Sequence, residues 1–309
     1  MEFEFLVKKE ANFYYFLHNL ANLKWPWPAR MELVEKYLKR KMWPQVFEKM
    51  SEKEKRALLN FKKISQKYFL KVYLGKFFFL WKNPWKELKK KLSNKDVEVL
   101  KKAFFIFKEK FNKEFLKVLP KLLEWKRILE KETKKSKIKK LNDFLEKRLS
   151  LFYRAPSLKK VKVFLVMNDF PGFGGERGRG LDGKSVFLEI CGLNFSRKNL
   201  VFSLLWHEVI QGCYSPHYFF PFLKQKIKNE KLVHFAEEIQ IRSLFPGYLG
   251  KKLFNVKTHK TLGYFLPQNL RITEKKTKKL IELSKQYWEE EKAIDEKYIK
   301  KFLEILKIK

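Results

Sequence analysis

The chain has 309 residues, 45% of them hydrophobic and 31 of them phenylalanine, which is enough for one large or two ordinary domains and excludes a disordered chain. Its formal net charge of +36 points towards nucleic acid or an anionic surface. Only 11 of the 70 basic residues are arginine, however, so a surface built for bidentate recognition of phosphate or guanine is not indicated, and the lysine excess reads equally well as compositional bias.

The N-terminal sequence Met1-Glu2-Phe3-Glu4-Phe5 lacks the basic-then-apolar order of a signal peptide. Lysines interrupt every apolar run well short of the roughly 18 residues that a spanning helix needs. The expectation is a soluble cytoplasmic protein with no transmembrane segment and an unspecified oligomeric state.

From the start to residue 154 the texture is helical. Apolar spacing predicts helices over roughly 10–22, 31–49, 52–81, 84–92, 95–130 and 137–152. Ser51 with Glu54 forms the pattern of a capping box, and Ser93 offers a second start signal. Trp25-Pro26-Trp27-Pro28 and Asn83-Pro84 mark breaks, and Pro120 is expected to kink or split its helix. Lys131 to Lys140 reads as an exposed turn. There is no internal repeat.

Near residue 160 the texture changes. Val161 to Met167 reads as a strand, followed by a loop from Asp169 to Gly180 and a second strand over 185–190. Six of the chain's 12 glycines fall between 172 and 183. This loop lacks a Gly-Lys-Ser/Thr ending and leads into a strand, so it is better read as a flap or hairpin connection than as a phosphate cradle. A helix running to Cys213 follows, with Asn194 or Ser196 as its cap, and then another over roughly 230–244, ended by Pro246 and Gly247. From Thr273 a helix or helix pair runs on with its lysines facing water. The two cysteines, Cys191 and Cys213, are too few for a cysteine zinc cluster and read as buried free thiols.

The fold class is therefore α+β and mainly α. A helical region spans 1–154, a sheet-plus-helix core 155–250, and a helical region 251–309. The stretch 161–223 carries a charge of only +1, so the basic excess lies on the helices around it. That near-neutral stretch is where chemistry is to be sought.

It contains Trp206-His207-Glu208-Val209-Ile210-Gln211 on a helix whose neighbours are apolar. Leu200, Leu204, His207 and Gln211 share one face, so His207 ends an apolar stripe and needs a partner. Glu208 lies about 100° further round. Downstream, Glu237 and Glu238 sit on the next long helix, where Glu238 shares a face with His234. Read from the residues alone, His207 is either a ligand or a core histidine bonded to Glu237 or Glu238.

The order of these elements resembles the zincin metallopeptidases, and more closely their glutamate-ligand branch, the gluzincins typified by thermolysin. In that family an edge strand binds extended substrate, a helix carries His-Glu-x-x-His, and a later helix supplies a glutamate ligand. The resemblance covers about residues 161–245. It implies Val186–Ile190 as the substrate strand, His207 and Glu238 or Glu237 as zinc ligands, and Glu208 as the general base acting on metal-bound water.

Gln211 stands where the family has its second histidine, and an amide oxygen is a weak donor to zinc. His217, ten residues after His207, is a substitute ligand at the spacing of the metzincin branch, although Tyr214 occupies that branch's glycine position and no methionine follows Met167. The resemblance thus implies a zinc-peptidase-like protein, either an active hydrolase or one with a degenerate active site, that binds or hydrolyses peptides. The alternative from composition is a basic scaffold for nucleic acid or for another protein, with no catalytic activity.

Overall fold

The computed structural model describes residues 1–22, 49–68, 73–167, 173–174, 181–190, 193–256 and 272–308. Its centre is a small sheet in the order β1-β2-β4-β3. Strand β1 (Glu2–Leu6) pairs in parallel with β2 (Lys160–Val166), setting Phe3 beside Val161 and Phe5 beside Val163. On its other side β2 pairs in parallel with β4 (Ser185–Glu189), with Val163 beside Val186 and Leu165 beside Leu188. Strand β3 (Phe173–Gly174) closes the edge, antiparallel to β4. All five residues of β4 are buried, as expected for a strand covered on both faces.

Aromatic contacts show what covers each face. Phe164 and Phe187, which are register partners, meet Phe79 at 5.2 Å each, and Phe187 also meets Tyr15. These partners come from helix α1 (Lys9–Asn22) and the short helix α3 (Gly75–Leu80). On the opposite face Phe3 meets Trp206 edge-on at 5.7 Å. Trp206 belongs to helix α7 (Lys198–Val209), so the sheet is sandwiched between two helical layers.

The remaining helices are α2 (Glu52–Tyr68), α4 (Pro84–Lys89), α5 (Asn94–Thr133), α6 (Ser136–Phe152), α8 (Phe219–Lys226), α9 (Glu230–Arg242), α10 (Leu249–Phe254), α11 (Glu274–Glu289) and α12 (Glu296–Leu306). The mainly α, α+β class expected from the sequence is what is found. No described helix is long and apolar enough to cross a membrane.

Local signals work as physics requires. Ser51 N–H donates to Glu54 Oε2 at 2.7 Å while Glu54 N–H donates to Ser51 Oγ, a reciprocal capping box. Ser93 caps α5 by accepting from Asp96 N–H. Buried positions Val97, Leu100, Ala103, Phe107, Phe111, Phe115, Leu122, Trp125 and Leu129 recur every three or four residues along α5, or at seven where a turn is skipped.

Several expectations are corrected. Residues 2–6 form a strand within the otherwise helical region. The helix expected over 52–81 is two helices, and the turn between α5 and α6 is confined to Lys134–Lys135. Pro120 does not split α5: its ring sits on an exposed position, so the loss is one hydrogen bond to the carbonyl of Leu116. The helix expected over 31–49 lies almost wholly outside the described residues. So does most of the glycine loop, of which Phe173–Gly174 is the described part.

Two polar bridges tie the regions together. Asn12 on α1 is fully buried, donates through Nδ2 to Leu165 O at 3.2 Å and Lys8 O at 2.9 Å, and accepts from Met167 N–H at 2.6 Å. It thereby satisfies β2 where the ladder runs out. Behind the sheet, Tyr153 Oη donates to Gln240 Oε1 at 2.6 Å, and Gln240 Nε2 donates to Tyr298 Oη. Tyr298 Oη in turn meets Ser284 Oγ at 2.8 Å, which joins the end of α6 to α9, α11 and α12 through buried hydroxyls.

Replacing Asn12 with Leu keeps the volume but strands the Met167 N–H and Leu165 carbonyl in the interior. The expected loss is about 3 kcal/mol of stability by urea denaturation. A loss below about 1 kcal/mol would show that this bridge does not hold α1 to the sheet.

Candidate functional site

Helix α7 is apolar on nearly every side: Val201, Phe202, Leu205, Trp206 and Val209 are all buried, so any polar residue among them is desolvated too. His207 and Glu208 are 6% and 3% exposed. Beyond Val209 the chain widens into a π-helical turn, Ile210–Tyr214, in which Ser215 N–H reaches back to Ile210 O at 2.8 Å. Gly250 on α10 lets that helix approach α7 closely, since a Cβ there would come within 2.8 Å of Ser203 Oγ.

The partner element is α9, which runs into a second π-type segment, Ser243–Tyr248. Phe245 has extended backbone angles (φ −129°, ψ 119°), which turn its carbonyl out of the helical ladder. His207 Nδ1 lies 3.0 Å from that oxygen. A carbonyl only accepts, so Nδ1 carries a proton and Nε2 is left to face Glu238 Oε2 at 3.5 Å. Glu238 also accepts from Arg242 Nε at 2.5 Å, and Gln211 Nε2 donates to Oε2 at 3.1 Å. Three side chains, from α7, the π turn and α9, thus meet on one carboxylate.

The electrostatics follow. Burial alone would raise Glu238, but the charges of Arg242 and His207 outweigh it and hold the carboxyl well below the usual carboxylate range. Burial opposes a charge on His207, yet Glu238, by charge and hydrogen bonding, lifts it above its ordinary value. Glu208 behaves oppositely. Burial pushes it up to about 8, Glu238 adds to the rise, and His207 and Arg242 only partly oppose it. Glu189, at the end of β4, is also raised well above the carboxylate range, by burial and then by Glu208. The shifts favour a charged His207–Glu238–Arg242 group beside two carboxyls, Glu208 and Glu189, that burial pushes towards the protonated form.

The structure sorts the residues singled out by sequence. His207, Gln211 and Glu238 come together, and of the two neighbouring glutamates Glu238 is the one that faces His207. Glu237 is fully buried and turned elsewhere, accepting from Ser215 Oγ at 2.6 Å with His234 Nδ1 3.8 Å away. His217 is exposed, in the turn before α8, because the π turn carries the chain out to the surface there. Strand β4, which the resemblance implies as the substrate strand, is not an edge where β3 pairs with Leu188 and Glu189; among the described strands β1 and β3 are the outer ones.

Arg242, Glu189 and the Phe245 carbonyl were not anticipated. The four-residue spacing from Glu238 to Arg242 on one helix was the available signal for the first. A hollow of about 720 Å³ lined by Gly247, Tyr248, Lys252, Ile281 and Glu289 includes none of His207, Glu208 or Glu238.

These donors do not fit zinc. Gln211 presents an amide nitrogen, which cannot ligate, and a guanidinium already binds Glu238. Among the described residues no group of three or more His, Cys, Asp or Glu side chains is arranged to hold a metal ion. Cys213 is buried as a free thiol, and Cys191 lies outside the described residues. No protein family, no curated protein and no solved structure matches this chain.

The raised Glu208 fixes a pH dependence. Between its ordinary value of 4.5 and about 8 the folded chain holds a proton there that the unfolded chain has released, so stability falls as pH rises across that window and is level above it. His207 adds to the fall above its ordinary value of 6.5, whereas Glu238 contributes only when pH drops through the carboxylate range. Glu208→Gln should flatten the pH 5 to 8 profile by on the order of 3 kcal/mol in urea denaturation. An unchanged slope would mean that Glu208 is ionised in the folded state.

Proposed function

We propose that this chain is a zincin-like protein that binds extended peptide and does not hydrolyse it, its metal position having been taken over by an arginine. The observation that carries this reading is the meeting of His207 and Glu238 beside the sheet, with Arg242 as the third member. A strand, then a helix bearing His-Glu, then a later helix returning a glutamate to the same histidine is the order the zincin resemblance implies, although here β3 lies outside the strand that precedes the helix.

Arg242 supplies the positive charge that a metal would bring to such a carboxylate, in a form that binds no water for attack. Glu208, which the resemblance makes a general base, retains its proton at neutral pH and lacks the free carboxylate that role requires. What remains of the peptidase plan is the edge. Among the described strands β3 ends the sheet order, and an extended peptide added there would pair backbone to backbone.

Elemental analysis tests this directly. The purified protein and its His207→Ala variant should both carry far less than one zinc per chain, and neither should cleave a fluorogenic peptide library with or without added zinc. The variant Gln211→His/Arg242→Leu should take up about one zinc, lost again on adding His207→Ala, because three protein ligands then converge. Stoichiometric zinc in the wild type would overturn the loss of the metal. Failure of the double variant to gain zinc would remove the zincin reading.

A further inference from the structure

Helix α5 has a second face that the described part of the fold does not cover. Its 40 residues bury one stripe against α1, α2 and the sheet, yet Phe105, Leu116 and Leu123 on the opposite side are 79%, 66% and 48% exposed. Together with Asn112 and the half-buried Leu119 they fall at positions 105, 112, 116, 119 and 123, which is the 3-4 alternation of a coiled-coil seam. The seam runs for about 27 Å. Exposed apolar residues aligned along one face can mark an interaction surface. Pro120 lies on the same side, and its missing N–H leaves the Leu116 carbonyl without a helical donor at the middle of the seam.

The flanks are basic. Lys102 and Lys113 border one side of the stripe and Lys108 the other, all exposed and none in an ion pair among the described residues. Their neighbour Lys117, by contrast, is already held by Glu114 at 2.8 Å. We propose that this seam of α5 docks an acidic amphipathic helix of a partner protein, whose apolar residues pack on Phe105, Leu116 and Leu123 while its carboxylates meet Lys102, Lys108 and Lys113.

Charge and shape select this occupant. A second copy would bring lysine flank against lysine flank in a chain of net charge +36. A membrane surface calls for a broad apolar face, and this one is a single seam interrupted by Glu109 and Asn112. Leucines at the centre offer no platform on which bases could stack. The inference is independent of the zincin reading, since α5 lies outside that cluster.

The test uses a fluorescein-labelled peptide of about four heptads with Leu at both seam positions and Glu on the flanks, against a scrambled peptide of identical composition. At physiological salt the patterned peptide should bind the full-length protein in the micromolar range by fluorescence anisotropy, at least about tenfold more tightly than the scrambled one. The variant Leu116→Asp/Leu123→Asp should lose about tenfold or more while keeping its circular dichroism spectrum and melting midpoint, because both side chains are exposed. Equal binding of the two peptides, or undiminished binding by the variant, would sink the proposal, since charge alone would then explain it. So would a wild-type dimer in analytical ultracentrifugation that the variant lacks. Sedimentation with phosphatidylserine–phosphatidylcholine vesicles that the variant loses, without peptide binding, would likewise assign the seam to a membrane.

Discussion

Helix α7 sets the terms for its surroundings because it is apolar all round and still carries a histidine and a glutamate. Neither group can keep water, so each must be neutralised by what packs against it. The chain answers in two ways. His207 is enclosed between a backbone carbonyl and a carboxylate that Arg242 keeps ionised. Burial pushes Glu208 up to about 8, next to a second carboxyl on β4, Glu189, that burial also raises. The first solution requires α9 and the turn after it to be held against α7, and the second requires the central strand to end at Glu189.

Those requirements explain why distant parts of the chain meet where they do. Strand β1 comes from the first six residues yet completes the sheet on which α7 lies, and Asn12 closes the exposed end of β2. Tyr153, Gln240, Ser284 and Tyr298 join the helices behind α9 through side-chain hydrogen bonds, so the segment that offers the Phe245 carbonyl is anchored on both sides. Buried networks of this kind stabilise one arrangement because a partial match would strand a polar atom in the core.

The lysine surface contributes little to this arrangement. Many of its ion pairs are local, joining residues three apart on one exposed helix face, such as Lys55–Glu52, Lys101–Glu98 and Lys135–Glu132. Pairs of that kind stabilise by about 0.3–0.5 kcal/mol each and are screened by salt. The lysines beside the apolar seam of α5, unpaired among the described residues, are different in kind, because they border an exposed hydrophobic stripe. The nucleic-acid reading, by comparison, rests on composition.

Much was legible from the sequence. Periodicity and caps located α1, α5, α6 and α9 to within a few residues, because a helix is specified by neighbours three and four apart and by the residue that caps it. The burial of His207 and Glu208 was readable for the same reason, as was the strand at 160. Strand β1 was not, since five alternating residues gain their meaning only from a partner more than 150 positions away. Nor could local pattern make β4 central and β3 the edge, choose Glu238 over Glu237, expose His217, or let α5 pass through Pro120. Each depends on which surfaces meet after long loops close. The sequence by itself determined the long helices, the strands near 160 and 185 and the buried pair on α7; the tertiary structure alone decided that an arginine completes the cluster, because side-chain convergence is a property of packing across the fold and not of spacing along the chain.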